Sequence, residues 1–241
     1  MMRSLWLGLA AVGALALAGC DSLVPVTPGA SDSAFIFPKP DRPIAKVVST
    51  QFSTEDARDE RNEAQVVMDL ANIRTGMTVA DIGAGEGYYT VRLAERVGAE
   101  GRVLAQDISR DALERLGRRV EKDRLENISI KLGETDNPQL PSDSFDRIFM
   151  VHMYHEVTDP YAFLWHMWPA LNAGGQIIVV ESDSPVGRHG LPHTLLFCEF
   201  EAVGYVLVEY TERPDIKGYF ARFERGPKRT KPEAIRTCNL G

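Results

Sequence analysis

The stretch MTVADIGAGEGYYT, residues 77–90, predicts a buried strand, a glycine-rich turn and the first turn of a helix. Asp81 places a carboxylate at the end of the strand, and Gly83, Gly85 and Gly87 follow at alternate positions. Glycine is needed where the backbone must turn sharply or where a ligand approaches it closely. In open α/β sheets such a unit forms a nucleotide pocket at the carboxyl end of the strand. The glycines could simply close a tight turn, but the acid in front of them favours a ligand-binding loop.

A second acid, Asp107, follows the next predicted strand, residues 103–105. It lies 20 residues after Gly87, the distance at which an acid meets the ribose hydroxyls in nucleotide-binding units. A carboxylate can accept the protons of both hydroxyls, and Ile108 beside it could pack on an adenine face. An acid that stabilises a helix N-terminus is the alternative. The glycine loop points to the same ligand, so the ribose contact is the stronger interpretation.

Strand and helix patterns alternate from residue 53 to residue 181. A helix capped by Ser53 or Thr54 comes first. Strands separated by helices are predicted at residues 77–82, 103–105, 128–130, 145–151 and 177–180. Because such strands need crossover connections, we predict an α/β, Rossmann-like, doubly wound fold with a mostly parallel seven-stranded sheet. Residues 205–210 and 219–223 alternate in polarity and predict a C-terminal antiparallel hairpin.

Polar side chains follow the first four predicted strands. They are Asp81, Asp107, Glu134 or Asp136, and the group from His152 to Glu156. The carboxyl ends of parallel strands meet at one edge of a sheet, where α/β folds bind their ligands. We therefore expect these side chains to border a single site.

The run DIGAGEG, residues 81–87, resembles motif I of the class I S-adenosyl-L-methionine-dependent methyltransferases. The resemblance extends to Asp107, to LPSDSFD at residues 140–146 and to LNAGG at residues 171–175. It covers essentially residues 53–223 and is closest to the branch with the ubiquinone and menaquinone methyltransferases. The resemblance implies S-adenosyl-L-methionine as the cofactor and a small-molecule or lipid-like acceptor.

Carried over to this sequence, the resemblance also implies which residues bind the cofactor. Asp81 and the glycine loop would hold the methionine end, Asp107 the ribose, and Glu134 or Asp136 the adenine amino group. The complete predicted set is Asp81, Gly83, Ala84, Gly85, Gly87, Tyr88, Asp107, Ile108, Glu134, Thr135 and Asp136. The choice between Glu134 and Asp136 is left open by the sequence.

The predicted catalytic residues are His155, His152 and Glu156, which follow the fourth strand. A base is required only where the acceptor must lose a proton. For His155, a role in ordering the loop or lining the acceptor pocket is equally compatible with the sequence. His189 and His193, four residues apart, could form a metal site with His155. Pro192 argues against one helix across both, so we favour acceptor-lid residues and predict no metal.

Composition excludes some classes of protein. The chain has 241 residues and is 44% hydrophobic, which is enough for one well-buried domain. Its formal charge is −7. The acidic balance argues against a nucleic-acid partner. The three cysteines contain no CxxC pair, so we expect neither a zinc ribbon nor a disulfide framework.

Residues 1–20 resemble the signal peptide of a bacterial lipoprotein. A positive charge precedes an almost unbroken apolar run, and Leu-Ala-Gly-Cys ends at Cys20 like a lipobox. We expect an exported protein anchored to a membrane through lipidated Cys20, on the periplasmic face; an ordinary signal peptide is the alternative. Residues 21–52, rich in Pro, Ser and Thr, predict an extended tether. The methyltransferase domain follows at 53–225, with a loose polar tail at 226–241.

Export creates a difficulty, because S-adenosylmethionine is not normally supplied outside the cytoplasm. The rival interpretation is therefore a non-catalytic exported lipoprotein that uses the fold as a ligand-binding module. A nicotinamide-dependent oxidoreductase ranks third, since its fingerprint needs glycine where Tyr88 stands.

Overall fold

The computed structural model describes residues 35–46 and 54–239 of the chain. The strands are β1 (Thr78–Ile82), β2 (Arg102–Asp107), β3 (Ile128–Leu132), β4 (Phe145–Val151), β5 (Leu171–Glu181), β6 (Tyr205–Arg213) and β7 (Gly218–Arg225). The helices are α1 (Glu55–Asp59), α2 (Glu63–Leu70), α3 (Tyr88–Val97), α4 (Arg110–Asp123), α5 (Pro160–Met167) and α6 (His193–Val203). Within these residues the seven strands form one sheet, in the order β3-β2-β1-β4-β5-β7-β6.

The sheet is parallel from β3 to β5, and β7 runs antiparallel to both β5 and β6. Strand β1 lies between β2 and β4, so Ile82 pairs with Gln106 on one side and with Met150 on the other. The loops after these three strands therefore leave the sheet at the same edge, at the point where the strand order reverses. The predicted fold is confirmed, including the C-terminal hairpin.

Both faces of the central strands β1, β4 and β5 are buried, as a doubly wound sheet requires. Alternate residues of β1 enter different cores, because Ala80 and Ile82 pack into one hydrophobic cluster and Val79 into another. Ile148 and Phe149 of β4 are divided in the same way. Near-continuous apolar strands thus fix the centre of the sheet, and the strand ends are left to carry polar groups.

Two local predictions were wrong in detail. The single helix predicted after Thr54 is two helices, because Asn62 adopts a left-handed conformation (φ 53°) between α1 and α2, which asparagine tolerates better than most residues. Thr54 does cap α1, accepting a hydrogen bond from a backbone N–H of that helix. Residues 174–175, predicted as a turn, belong to β5, whose register shifts between its pairings with Phe145 and Arg147.

The prediction of a loose tail is wrong for residues 226–239, which pack onto the domain. Cys238 forms a disulfide with Cys198 of α6, with an S–S distance of 2.02 Å. The Arg229 guanidinium lies 3.6 Å from the centroid of the Trp165 ring. The disulfide also corrects our expectation about the cysteines. Its partners are 40 residues apart, and such a distance leaves no spacing signal in the sequence.

Residues 35–46, part of the predicted tether, also pack against the domain. The buried Arg42 donates from Nε to Glu199 of α6 over 2.8 Å, and Phe37 meets Trp165 edge-on. The predicted signal peptide and the first part of the tether lie outside the described residues. Among the residues described, no helix combines the length and the apolar character needed to cross a bilayer.

Candidate functional site

A cavity of about 700 Å³ lies at the sheet edge where β1, β2 and β4 end. The predicted cofactor-binding and catalytic residues that line it are Gly83, Ala84, Gly85, Tyr88, Asp107, Ile108, Glu134, Thr135, His152, His155 and Glu156. Asp81, Gly87 and Asp136 are not among its lining residues. The structure thus brings most of the predicted residues to one cavity.

The glycine loop opens its backbone toward this cavity. Gly85 has a φ of +55°, and a Cβ at this position would meet no atom within 4 Å. Gly83 has a φ of +70°, and a Cβ at this position would come within 2.9 Å of Met153 Cγ. Gly87 is the N-cap of α3. A side chain at Gly85 would therefore fill space that the loop leaves for a ligand.

Asp107 joins the glycine loop to the end of β2. Its Oδ2 accepts a hydrogen bond from Gly85 N over 2.9 Å, and its Oδ1 accepts one from Ser109 N over 2.8 Å. Ser109, not Asp107, is the N-cap of α4, since its side chain accepts from Ala112 N. A carboxylate has about four acceptor sites, so Asp107 can also accept from a diol while holding the loop.

Asp81 lies beneath the loop, 3% exposed. Its Oδ2 accepts a hydrogen bond from the Thr90 hydroxyl over 2.6 Å. Burial, which disfavours the charged carboxylate, raises the pKa of Asp81 to about 6. Asp81 was predicted to hold the methionine end of the cofactor, and it is not among the residues that line the cavity. Asp81 instead connects the end of β1 to the first turn of α3.

The β2 and β3 ends form the part of the cavity predicted for adenine. Ile108 is 42% exposed there, and Glu134 and Thr135 line the wall. Asp136 lies outside the cavity, and its backbone oxygen accepts from His166 Nδ1. Between the two acids that the sequence left open, the structure favours Glu134 as the residue at the cavity wall.

Sequence reasoning missed Gln106, a buried residue at the end of β2. Its backbone oxygen accepts hydrogen bonds from Gly83 N over 2.8 Å and Ala84 N over 3.0 Å, which fixes the start of the loop. Its side chain passes so close to Gly133 that a Cβ there would lie 1.6 Å from Gln106 Nε2. The apolar strand pattern gave no reason to single out this residue.

A charged cluster that the sequence did not predict forms the wall beside α2. Glu63 is 1% exposed and accepts from Arg58 Nη2 over 2.6 Å and from the Tyr89 hydroxyl over 3.2 Å. His152 Nε2 lies 3.5 Å from the same carboxylate. Burial acts to raise the pKa of Glu63, but hydrogen bonds and charges from His152 and Arg58 lower it to about 2. His152 is therefore engaged with an ionised acid.

His155 lies on the short helical turn Tyr154–Glu156 after β4. Its Nδ1 is 2.9 Å from Oε2 of Glu181, a fully buried residue at the end of β5. Burial lowers the pKa of His155, yet the hydrogen bond to Glu181 and its charge raise it above the usual value. Because the carboxylate accepts, Nδ1 carries the hydrogen, and Nε2 lies 4.0 Å from Glu156 Oε1.

Residues that are distant in the sequence hold the turn that carries His155 in place. Tyr154 donates its hydroxyl proton to Glu199 Oε2 over 2.8 Å, and Glu199 also pairs with Arg42. Arg42 Nη1 in turn donates to the backbone oxygen of His155 over 3.4 Å. Arg42, within the predicted tether, thus supports the turn that carries His155.

Of the two later histidines, only His189 reaches the cavity. Its ring centroid is 5.6 Å from that of His155. His193 begins α6, as Pro192 suggested, and its Nδ1 lies 2.9 Å from Asp183 Oδ2. The two histidines therefore belong to different clusters.

Part of this chain is similar in sequence to known proteins. A family model described as a methyltransferase domain matches residues 73–196, slightly more than half of the chain. The ubiquinone/menaquinone biosynthesis C-methyltransferase UbiE of Idiomarina loihiensis is 36% identical over 121 residues, 49% of this chain and 48% of that protein. The demethylmenaquinone methyltransferase of Geobacillus sp. is 27% identical over 118 residues, 49% of this chain and 50% of that protein. The chain spans about half the length of these curated relatives.

A solved structure gives the same fold. The crystal structure of a SAM dependent methyltransferase from Aquifex aeolicus superposes with a TM-score of 0.63 at 24% identity, covering 69% of this chain and 90% of that one. The span of the family model contains the glycine loop, Asp107 and the His155 turn. The chain therefore belongs to the methyltransferase domain family, in the class I, S-adenosylmethionine-dependent fold.

Proposed function

We propose that this protein is an S-adenosylmethionine-dependent methyltransferase that acts on a small or lipid-like acceptor. One observation carries the proposal beyond family membership. A single cavity is lined both by Gly85 and Asp107, which share a hydrogen bond, and by His155, whose ring is held by the buried Glu181 outside the cavity lining. We assign the part of the cavity at Gly85 and Asp107 to the cofactor and call it the cofactor half. We assign the part at His155 to the acceptor and call it the acceptor half.

The residues present fit S-adenosylmethionine. The open space beside Gly85 leaves the backbone accessible, Asp107 keeps acceptor sites for a diol, and Ile108 offers an exposed apolar face. Glu134 and Thr135 complete this half of the wall. The volume, about 700 Å³, falls within the usual range for small-molecule sites. When bound, the cofactor supplies a methyl group activated by a positively charged sulfur.

The contribution of this chain is placement and control of protons. A rigid site that aligns two reactants removes most of the entropic barrier to their reaction. Tyr88, Met153 and Phe163 give the cavity apolar walls. We assign the activation of the acceptor to the polar end formed by His155, Glu156 and His189. Glu181 fixes the orientation of the His155 ring there.

The acceptor class follows from the relatives. The curated proteins that this chain resembles are named for quinone biosynthesis, and we propose phenol- and quinone-like acceptors as the first to test. The match covers only about half of each chain. For this reason the panel should include short-chain and isoprenoid-substituted compounds.

We also propose that the protein is exported and anchored through Cys20. The lipobox-like sequence supports this, and so does the Cys198–Cys238 disulfide, since disulfides persist in oxidising compartments. Metabolic labelling with a lipid precursor tests the anchor by comparing wild type with a Cys20→Ser variant. Labelling that survives the substitution would exclude Cys20 as the attachment site.

The same disulfide gives weight to the second candidate, a non-catalytic binding module. Calorimetric titration of the full chain with S-adenosylmethionine, its demethylated product and NADH distinguishes the candidates. We expect the first two to bind and NADH not to bind. Binding followed by turnover on the acceptor panel supports the enzyme, whereas binding without turnover on any acceptor supports the module.

Asp107→Asn tests the cofactor half directly. Hydrogen bonds to a charged group contribute about 1.5–3 kcal/mol, so this variant should bind S-adenosylmethionine roughly 10–100-fold more weakly. Asp111→Asn, at an exposed position in the first turn of α4, is the matched control and should bind normally. Unchanged affinity in a folded Asp107→Asn sample would refute the proposed cofactor site.

A further inference from the structure

Three side chains of metal-ligand type meet at the acceptor end of the cavity. His155, Glu156 and His189 each offer one ligand atom, and these atoms all lie within 4.8 Å of one another. All three residues line the cavity. They come from two loops, the turn after β4 and the segment between β5 and α6.

The His155 ring is already held in the way that metal-binding histidines are held. Such a histidine almost always donates its second ring N–H to a carboxylate or a carbonyl, which fixes the tautomer and increases the basicity of the other nitrogen. Here Nδ1 lies 2.9 Å from the buried Glu181 carboxylate. The remaining nitrogen, Nε2, is the atom directed toward Glu156.

We propose that His155, Glu156 and His189 bind a divalent transition-metal ion of the Zn²⁺ class. Two imidazole nitrogens and one carboxylate oxygen form a ligand set that suits Zn²⁺ and its first-row neighbours better than Mg²⁺ or Ca²⁺. Three protein ligands leave a further coordination position open, as in catalytic zinc sites. That position faces the cavity.

The geometry requires only a small adjustment. Zn²⁺ lies about 2.0–2.2 Å from nitrogen and oxygen ligands, so the ligand atoms of a bound ion stand roughly 3–4 Å apart. His155 Nε2 and Glu156 Oε1 already meet this, at 4.0 Å. The widest separation in the cluster, 4.8 Å, has to shrink by about 1 Å. Glu156 and His189 are only partly buried, and side-chain rotation can supply that movement.

This site deepens the proposed function and rests on it for its chemical role. An acceptor hydroxyl in the open position would form a metal–oxygen bond, and the charge of the ion lowers the pKa of the bound group. The O–H bond then breaks, its proton passes to solvent water, and no electron is transferred. His155 acts as a ligand in this assignment, and the oxygen or the conjugated ring carbon of the acceptor becomes the nucleophile.

The site differs from the one considered from the sequence. There a metal site formed by His155, His189 and His193 was considered, and we predicted no metal. The structure separates these two histidines and adds Glu156, which is adjacent to His155 in the chain. His193, paired with Asp183, therefore provides an internal control.

The test is Zn²⁺ binding by the full chain, purified without a histidine tag and stripped with a chelator. His189→Asn is suitable because residue 189 has a φ of 54°, a conformation that asparagine accepts; Glu156→Gln is nearly isosteric. Each should weaken Zn²⁺ binding about 10–100-fold or more, and Glu181→Gln, which acts through His155, about 10–100-fold. His193→Asn should bind like wild type.

Co²⁺ provides a second readout, because its visible absorption reports on the ligands. The wild type and His193→Asn should give the same spectrum, and His189→Asn a different one. Circular dichroism confirms that each variant is folded. The proposal is overturned if stripped wild type fails to bind Zn²⁺, or if the cluster variants bind it as tightly as wild type.

Titration of the same samples with S-adenosylmethionine separates the two proposals. Normal cofactor affinity without Zn²⁺ binding would remove the metal site and leave the proposed function intact. Zn²⁺ binding that depends on the cluster, in a protein that does not bind S-adenosylmethionine, would remove the proposed function and leave the metal site.

Discussion

Three carboxylates near the glycine loop differ in their surroundings, and this decides what each of them can do. Asp107 accepts two backbone hydrogen bonds at the cavity and keeps capacity for a ligand. Asp81 is buried under the loop beside Thr90, where desolvation raises its pKa to about 6. Glu63 is buried as well, yet its cationic neighbours hold its pKa near 2. Burial alone therefore does not set the charge of these acids, because hydrogen bonds and neighbouring charges also shift their pKa values.

Asp81→Asn is expected to change stability in a pH-dependent way. The pKa of Asp81 rises from 3.8 to about 6 on folding. Between these values the folded protein holds a proton that the unfolded chain has released. The contribution of this group is therefore complete below pH 4 and is lost as the pH rises through 6. Relative to wild type, the free energy of unfolding of the variant should increase by about 2 kcal/mol between pH 4 and pH 7.

Urea unfolding of both proteins at the two pH values measures this change. Asparagine keeps an acceptor for the Thr90 hydroxyl, so the comparison isolates the ionisation. The exposed Asp111→Asn variant should show no comparable pH dependence. If Asp81→Asn and wild type differ by the same amount at both pH values, the account of Asp81 is wrong.

At the scale of helices and strands, local patterns were sufficient where a segment depends on its own residues. The bounds of β4 match the prediction, 145–151, because an apolar strand is flanked there by Asp143 and by His152. Glu181 was recognised as the end of a strand, but its pairing with His155 was not, since they are 26 residues apart. The same applies to Arg42 and Glu199, whose contact depends on how α6 packs. Contacts between distant segments set the details of the site, and no spacing in the sequence encodes them.

Arg42→Met should destabilise the domain strongly, because it leaves the Glu199 carboxylate buried without its cation. Removing one partner of a buried ion pair typically costs about 3–5 kcal/mol. The double variant Arg42→Met with Glu199→Gln removes the unpaired charge and should recover part of the loss. Chemical unfolding of the two variants and wild type measures both effects.

A matched control for this cycle is Lys39→Met, since Lys39 pairs with Asp159 at the surface. Exposed ion pairs contribute about 0–1 kcal/mol. Equal losses in the free energy of unfolding for Lys39→Met and Arg42→Met would contradict the prediction that the buried Arg42–Glu199 pair matters more for stability.

At the scale of the whole molecule, the two ends of the described chain are tied to α6. Cys238 is linked to Cys198, and Arg42 to Glu199, the next residue of the same helix. The first bond is covalent and closes a segment with a sequence separation of 40. Helix α6 thus binds both terminal segments, which also contact Trp165 of α5 through Phe37 and Arg229.

Reduction of the disulfide should lower the stability of the domain. A bridge of this kind contributes typically about 2–4 kcal/mol, in part by restricting the unfolded chain. Thermal unfolding with and without a thiol reductant measures the loss. The double variant Cys198→Ala with Cys238→Ala should match reduced wild type and no longer respond to the reductant. Unfolding of wild type at the same temperature in both conditions would contradict this.

The contact between Arg42 and the backbone oxygen of His155 has a practical consequence for anyone who shortens the chain. A protein trimmed to begin at residue 54 would be less stable because it lacks Arg42, but its folded fraction would retain every residue that we propose to bind the cofactor. It would lack the Arg42 guanidinium, which contacts the turn of His155 at the acceptor end of the cavity. We therefore expect turnover to fall more than cofactor affinity. Poor activity in such a trimmed sample would then be mistaken for the wrong choice of acceptor.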